Sequence, residues 1–346
     1  QLVGSQLVMP ESRTAVGCPT QSVRFEKGQQ GPPKPNRTGA MVDVAAQTGQ
    51  VGFFYILGYQ QKQLANDVAS TARIVVDVLA DVPNLVVSGM FEDQGLDLVG
   101  ISNDDASVDD LEAWAEYGPY FEGLVRQDTG WLLFSDSILI SLPIDLDEEP
   151  ILWGTRVVAF VEVCSFLLRQ MFDVGLPLRG GISFGEFFIH DNYFSGRPII
   201  DAYQHAESIE LSGCVLAPSA ARLYGQVQQN AIDQGYENSS PGMFDQLCVS
   251  YLIPKKRDQV ETGSMVNWVN PPMRFFEGLP SDLRKYVYSS FVAHNKDVVP
   301  AVQPKIDNTE AFVRKVVENV EPRPWSEMYR RLSEAFMQLK SEGMSR

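Results

Sequence analysis

Cysteine and histidine are scarce in this sequence, and cationic side chains are outnumbered. Four cysteines (18, 164, 214 and 248) and three histidines (190, 205 and 294) are scattered over 346 residues. No C-x-x-C pair and no zinc-type ligand spacing occurs, which argues against a Cys/His metal centre. The same scatter gives no disulfide framework and points to reduced, mostly buried thiols in a cytoplasmic setting. Lys and Arg total 28 against 44 Asp and Glu, a net charge of −16. So acidic a surface repels nucleic-acid backbones, so no nucleic-acid partner is expected. A small polyanion remains admissible where a metal or local cations screen it. No apolar run approaches the ~18 residues of a membrane span. The densest, VVAFVEVCSFLL, is interrupted by Glu162 and closed by Arg169. No membrane partner is expected, and nothing at the head of the chain reads as a signal peptide.

What is present suffices for a core of normal size: 44% hydrophobic and 21% charged residues. Residues 1–47, with GQQGPPKPNRTG in their midst, read as a flexible N-terminal arm. VGFFYILG (51–58) is a continuous apolar run of aromatic and β-branched residues, hence a buried strand. QKQLANDVASTARIVVDVLADV has helical spacing, and residues 90–110 read as acidic loop. In TGWLLFSDSILISLP two apolar runs flank Ser135–Asp136–Ser137, a β-hairpin with a short polar tip. Residues 151–173 form an amphipathic helix, LPLRGGISFGEFFIHD a glycine-bearing strand, 197–212 and 217–228 helices, and CVSYLIP a last strand. The order predicts an α+β fold of ferredoxin-like βαββαβ type, a mostly antiparallel sheet with helices on one face. From 281 onward the pattern is helical, interrupted by PRPW at 322–325. Three parts follow: an arm (1–47), a catalytic domain (48–257) and a mostly helical C-terminal extension (258–346).

Four features could carry chemistry. Asp136 at a rigid hairpin tip can serve a turn, or can hold Mg²⁺ or Mn²⁺ against a triphosphate. LRGGISFGEFF lets something approach the backbone closely. GRPIIDAYQHAES places Asp201 and His205 at i and i+4 on one helix face, which is otherwise an ordinary solvated face. PKKR (254–257) directly follows a strand and could meet phosphates or simply be a solvated strand end.

In this order, from Val51 to Arg257, these elements resemble the catalytic domain of the class III adenylate/guanylate cyclases. The resemblance implies that the ribose 3′-hydroxyl attacks the α-phosphorus and pyrophosphate leaves, with Mn²⁺ or Mg²⁺ as cofactor. It places the hairpin metal ligand on Asp136 and the metal-assisting backbone carbonyl on Ile56. The ribose-positioning residue falls on Asp201, the transition-state cation on His205, and the phosphate-binding lysine on Lys255 or Lys256. It also implies a head-to-tail homodimer with sites between the two copies.

The sequence departs from that family in four places. Tyr55 stands where the first-strand Asp is expected, Asp201 for Asn, His205 for Arg, and Leu132 where adenylate cyclases carry their adenine-reading lysine. Protonation of His205 would restore a cation, and Asp201 beside it favours that form. The stretch from Pro177 to Leu223 is similar to a bacterial subgroup, the Pycsar pyrimidine cyclases. Those make cyclic UMP or cyclic CMP on phage infection and signal through it to a separate effector. Phe53 and Tyr55 share one strand face and would shrink the pocket toward a pyrimidine; plain core is the other reading of both rings. The expectation is a uridylate cyclase acting in antiphage defence. Its alternatives are a cytidylate cyclase and an impaired pseudocyclase that binds nucleotide without turnover. A diguanylate-cyclase type lacks its signature in the hairpin, and a polymerase palm fits poorly with the acidic charge.

Overall fold

A computed structural model describes residues 46–59, 108–190, 193–233, 246–269 and 279–319, with isolated positions at 66–84 and 334–341. Residues 1–45 of the expected N-terminal arm, most of the helix expected over 60–82 and the PRPW break lie outside the described residues, while β1 already begins at Gln47, the last residue assigned to the arm.

The chain is a mixed α+β protein with one sheet and helices packed on it. Its strands are β1 (Gln47–Ile56), β2 (Gly130–Phe134), β3 (Ser137–Pro143), β4 (Leu178–His190), β5 (Tyr193–Gly196), β6 (Gly213–Leu216), β7 (Cys248–Lys255) and β8 (Gln259–Val266). The order across the sheet is β2-β3-β1-β4-β6-β8-β7, with β5 paired to β4. Each neighbouring pair along β2, β3, β1 and β4 is antiparallel, and β4 runs parallel to β6. The helices are α1 (Val108–Gly123), α2 (Pro150–Asp173), α3 (Arg197–Ser208), α4 (Pro218–Asp233), α5 (Leu283–Val292) and α6 (Gln303–Asn319).

Strand β1 sits at the centre, and its alternation divides the interior. Phe54 and Ile56 belong to a large core with the buried side chains of α2. Val51 and Phe53 point the other way, into a small cluster with Leu139, Phe187 and residues of α3. The two glycines of LRGG serve these two faces in turn. A Cβ at Gly180 would strike the Phe54 ring, and one at Gly181 would strike the Ala202 carbonyl of α3. Their lack of a side chain lets the ring and the helix lie directly on the sheet.

Helix α2 is apolar nearly all round, which is the pattern of a helix enclosed on every side. By length and apolarity it could cross a membrane, yet it is mostly buried inside this fold. Two of its buried polar residues are tied down: Arg169 bonds Asp173 and the Val269 carbonyl, both at 2.8 Å, and Ser165 bonds the Asn267 carbonyl at 2.6 Å. Cys164, Cys214 and Cys248 are free and buried, and burial pushes all three thiols up.

Three elements differ from expectation. Helix α1 begins at Val108, inside the segment read as loop, and carries Pro119 within it. The short strand β5 pairs with the end of β4 where no strand was expected. CVSYLIP is not the last strand: β7 turns through Lys256–Asp258 into β8, so the sheet runs on to Val266. The turn is tight, with Arg257 and Asp258 at positive φ.

Candidate active site

The register of β1 builds the site. Tyr55 lies opposite Ser137 of β3 on one side and Arg179 of β4 on the other. The end of β1, the hairpin tip and the start of β4 therefore converge. Two residues, Ser135 and Asp136, join β2 to β3, with Ser135 at a φ of 54°. The Ile56 amide donates to the Asp136 carbonyl at 2.9 Å, fixing the tip to β1. A cavity of about 430 Å³ opens here, lined on the sheet side by Tyr55, Ile56, Asp136, Arg179 and Glu207. That volume is of the size that takes a nucleotide-sized ligand.

Glu207, at the end of α3, is the hub of the charged groups. Tyr55 Oη donates to its Oε1, and Arg179 donates to the same oxygen at 2.8 Å. Lys256, from the β7–β8 turn, holds Oε2 at 2.6 Å. Arg179 also donates to the Ile209 carbonyl at 3.0 Å, and its guanidinium lies 4.4 Å from the centre of the Tyr55 ring. Burial pushes the Glu207 carboxyl up, but the Lys256 and Tyr55 bonds and the Arg179 charge outweigh it and hold it below the usual range. Burial, and then the bond to Glu207, drive the Tyr55 phenol far up, so it stays protonated. Arg179 is 5% exposed, yet its Nε has no partner among the described residues. A buried donor of this kind seeks an acceptor.

Asp136 differs from Glu207. It is half-buried, it accepts from Ser137 Oγ at 3.3 Å, and no cation stands within ion-pairing distance of it among the described residues. Asp136 offers one carboxylate that could serve a single hard divalent cation. The donor set does not suit two. The second expected acid is Tyr55, a protonated phenol, and both oxygens of Glu207 are taken. Among the described residues no three His, Cys, Asp or Glu side chains converge as a metal site.

The other expected site residues lie apart from this cavity. Phe53 is buried in the small core, edge-on to Tyr203 at 5.3 Å and Phe134 at 6.1 Å between ring centres. It is core rather than a stacking surface. Asp201 lies 3.5 Å from exposed Arg197. Burial, and then the Lys255 charge, pull the His205 pKa down, outweighing the Glu261 and Asp201 charges that raise it. Lys255 pairs with Glu261 of β8, while Lys256 reaches the site through Glu207. Arg179 and Glu207 were not anticipated as site residues. Both stand inside motifs that the sequence singles out, Arg179 in LRGGISFGEFF and Glu207 at the end of GRPIIDAYQHAES, but neither received a site role there, because their partners stand far away in sequence.

No family model matches the sequence, and no curated protein matches it. Among solved structures, the crystal structure of the adenylyl cyclase CyaB from P. aeruginosa aligns with 65% of this chain and 96% of that one. The identity is 12% and the TM-score 0.34, a likeness too loose to carry an argument.

Proposed function

We propose that this chain is a nucleotidyl cyclase that takes a nucleoside triphosphate into the cavity between the hairpin tip and the start of β4. One observation carries the reading. A free carboxylate, Asp136, and a buried guanidinium with an unsatisfied N–H, Arg179, line the same cavity at the end of β1. The antiparallel order β2-β3-β1-β4 around it supports a ferredoxin-like βαββαβ core of class III cyclase type.

In the reaction the ribose O3′ attacks the α-phosphorus, the bond from that phosphorus to the bridging oxygen breaks, and pyrophosphate leaves with the electron pair. One divalent ion, Mn²⁺ or Mg²⁺, held by Asp136 would neutralise phosphate charge and ease loss of the 3′-hydroxyl proton. Arg179 binds the phosphates and stabilises the charge that builds on the leaving group. Lys256 stands beside it. Glu207 holds both cations before substrate arrives and competes with the phosphates for them. Tyr55 keeps Glu207 in place and closes the position of a second metal carboxylate.

On the finer level we propose a pyrimidine substrate, UTP giving 3′,5′-cyclic UMP, with CTP as the alternative. Leu132 offers no polar group to read adenine, and the reading of Pro177–Leu223 as resembling the Pycsar cyclases favours the choice. That similarity extends the proposal to antiphage signalling in the cytoplasm, through a separate effector that binds the cyclic nucleotide. A homodimer completes the proposal. Half-exposed Tyr203 and Phe134, beside the small core, offer a second copy an aromatic surface.

Incubation of the chain with Mn²⁺ and each of ATP, GTP, CTP and UTP, with products identified by mass spectrometry, tests all of this. Cyclic UMP or cyclic CMP is expected, and Asp136→Asn should lower the yield at least about a hundredfold. Cyclic AMP alone would overturn the pyrimidine assignment. The Tyr55–Glu207 lock favours a second reading, nucleotide binding without turnover. That reading wins if triphosphates bind, nothing is made, and Tyr55→Asp gains activity.

A further inference from the structure

The cavity has a second wall, and it comes from the C-terminal part of the chain. Opposite the sheet end lie Phe291 from the end of α5, Val299, Ala301 and Val302 from the connection, and Lys305 from the start of α6. This segment is anchored to the frame that carries Arg179. Ser290 Oγ donates to the Phe172 carbonyl at 2.8 Å, and buried Lys296 donates to the Gly175 carbonyl at 2.8 Å. Further along, Thr309 Oγ1 accepts from the Ser212 amide at 2.8 Å, and Asn308 donates to the Glu210 carbonyl at 2.8 Å. Sheet end and helical segment therefore line one cavity and are joined by hydrogen bonds.

The chemistry of the two walls is complementary. The sheet wall presents Asp136 and the Arg179–Glu207 pair, whereas the helical wall presents apolar side chains and one cation. Lys305 is loosely engaged. It donates to the Ala301 carbonyl at 3.1 Å and stands 3.7 Å from Glu210, compared with 2.6 Å for the Lys256–Glu207 pair. Redirecting its ammonium toward a ligand breaks one hydrogen bond and one long ion pair, fewer and longer contacts than hold a locked cation. In a chain of charge −16, an anionic ligand needs such local cations to enter.

We infer that the segment from Phe291 to Lys305 is the second wall of the nucleotide site, Lys305 binding the polyphosphate and Phe291, Val299 and Val302 packing against the sugar or base. The inference rests on the nucleotide reading above and gives that site a further phosphate contact and an apolar surface.

Calorimetric titration of the full chain with inorganic tripolyphosphate, and separately with each nucleoside triphosphate, tests it. Lys305→Gln should weaken both ligand types about tenfold, the loss of one charge-assisted contact. Val299→Trp, at a partly exposed position, should weaken the nucleotides by a similar factor and leave tripolyphosphate unchanged. If nucleotides bind equally well to wild type and both variants, the second wall is wrong while the nucleotide reading stands. If tripolyphosphate binds in a Lys305-dependent way and nucleotides bind in a Val299-dependent way but yield no product, the wall stands and the cyclase activity falls. If wild type binds neither ligand, both fall. Should Lys305→Gln melt early, Lys305→Arg decides: it keeps the charge and should bind tripolyphosphate as wild type does, and a loss there would overturn the contact.

Discussion

The two faces of strand β1 are built to different standards. On one, Phe54 and Ile56 join a large core sealed by α2, with glycine at position 180 admitting the Phe54 ring. On the other, Val51 and Phe53 sit in a thin layer under α3, and the layer ends in half-exposed aromatic and charged groups. Dense packing gives stability, and it leaves no room for a ligand. The thin face gives up that density and carries at its end the Tyr55–Glu207–Arg179–Lys256 group beside the cavity.

Truncation on each face should separate the two roles most strongly. Phe54→Ala should lower the unfolding free energy by about 4 kcal/mol, and Phe53→Ala by about 2, because a thin layer collapses more readily around the gap. Urea denaturation measures both, and equal losses would erase the distinction. A smaller effect comes from the charged end of the thin face. The Glu207 carboxyl is held below its ordinary value of 4.5, so its contribution to stability is complete above that pH and fades as the pH falls below it. Glu207→Gln should therefore be less stable than wild type at neutral pH, with the gap closing as melting is followed from pH 4.5 downward. A gap independent of pH would mean that the carboxylate charge contributes nothing. The smallest effect belongs to Tyr203→Ser, which should change stability by under about 1 kcal/mol. If the thin face receives a second copy, the same substitution should slow self-association in sedimentation velocity, and unchanged association would remove Tyr203 from that interface.

Much of this layout was legible in the sequence, for physical reasons that also set the limits. β1, the β2–β3 hairpin, α2, β4 and α3 show themselves through the period of their apolar residues. β8 does not, because Gln259 to Thr262 face solvent and only Met265 and Val266 enter the core. Its strand character comes from pairing with β7. α1 was hidden by Gly118–Pro119, which ordinarily punctuates a helix. Asp136 was singled out by its place at the hairpin tip, and Tyr55 by the resemblance that puts an Asp at its position in the first strand. The role of Glu207 depends on Tyr55, Arg179 and Lys256, brought together by sheet order rather than spacing. The second wall is less legible still, since residues 291–305 read only as part of a helical extension.

The hairpin tip carries a further consequence. Two residues join β2 to β3, and their ladder closes with Phe134 opposite Ser137. The address of the Asp136 carboxylate is thus written as a count along the chain, with Ser135 accepting an unfavourable backbone angle to keep that count at two. A single inserted residue there could leave every strand intact and still turn the acid away from the cavity. For this molecule, a deletion or insertion in that turn is a more severe lesion than most substitutions of the residues within it.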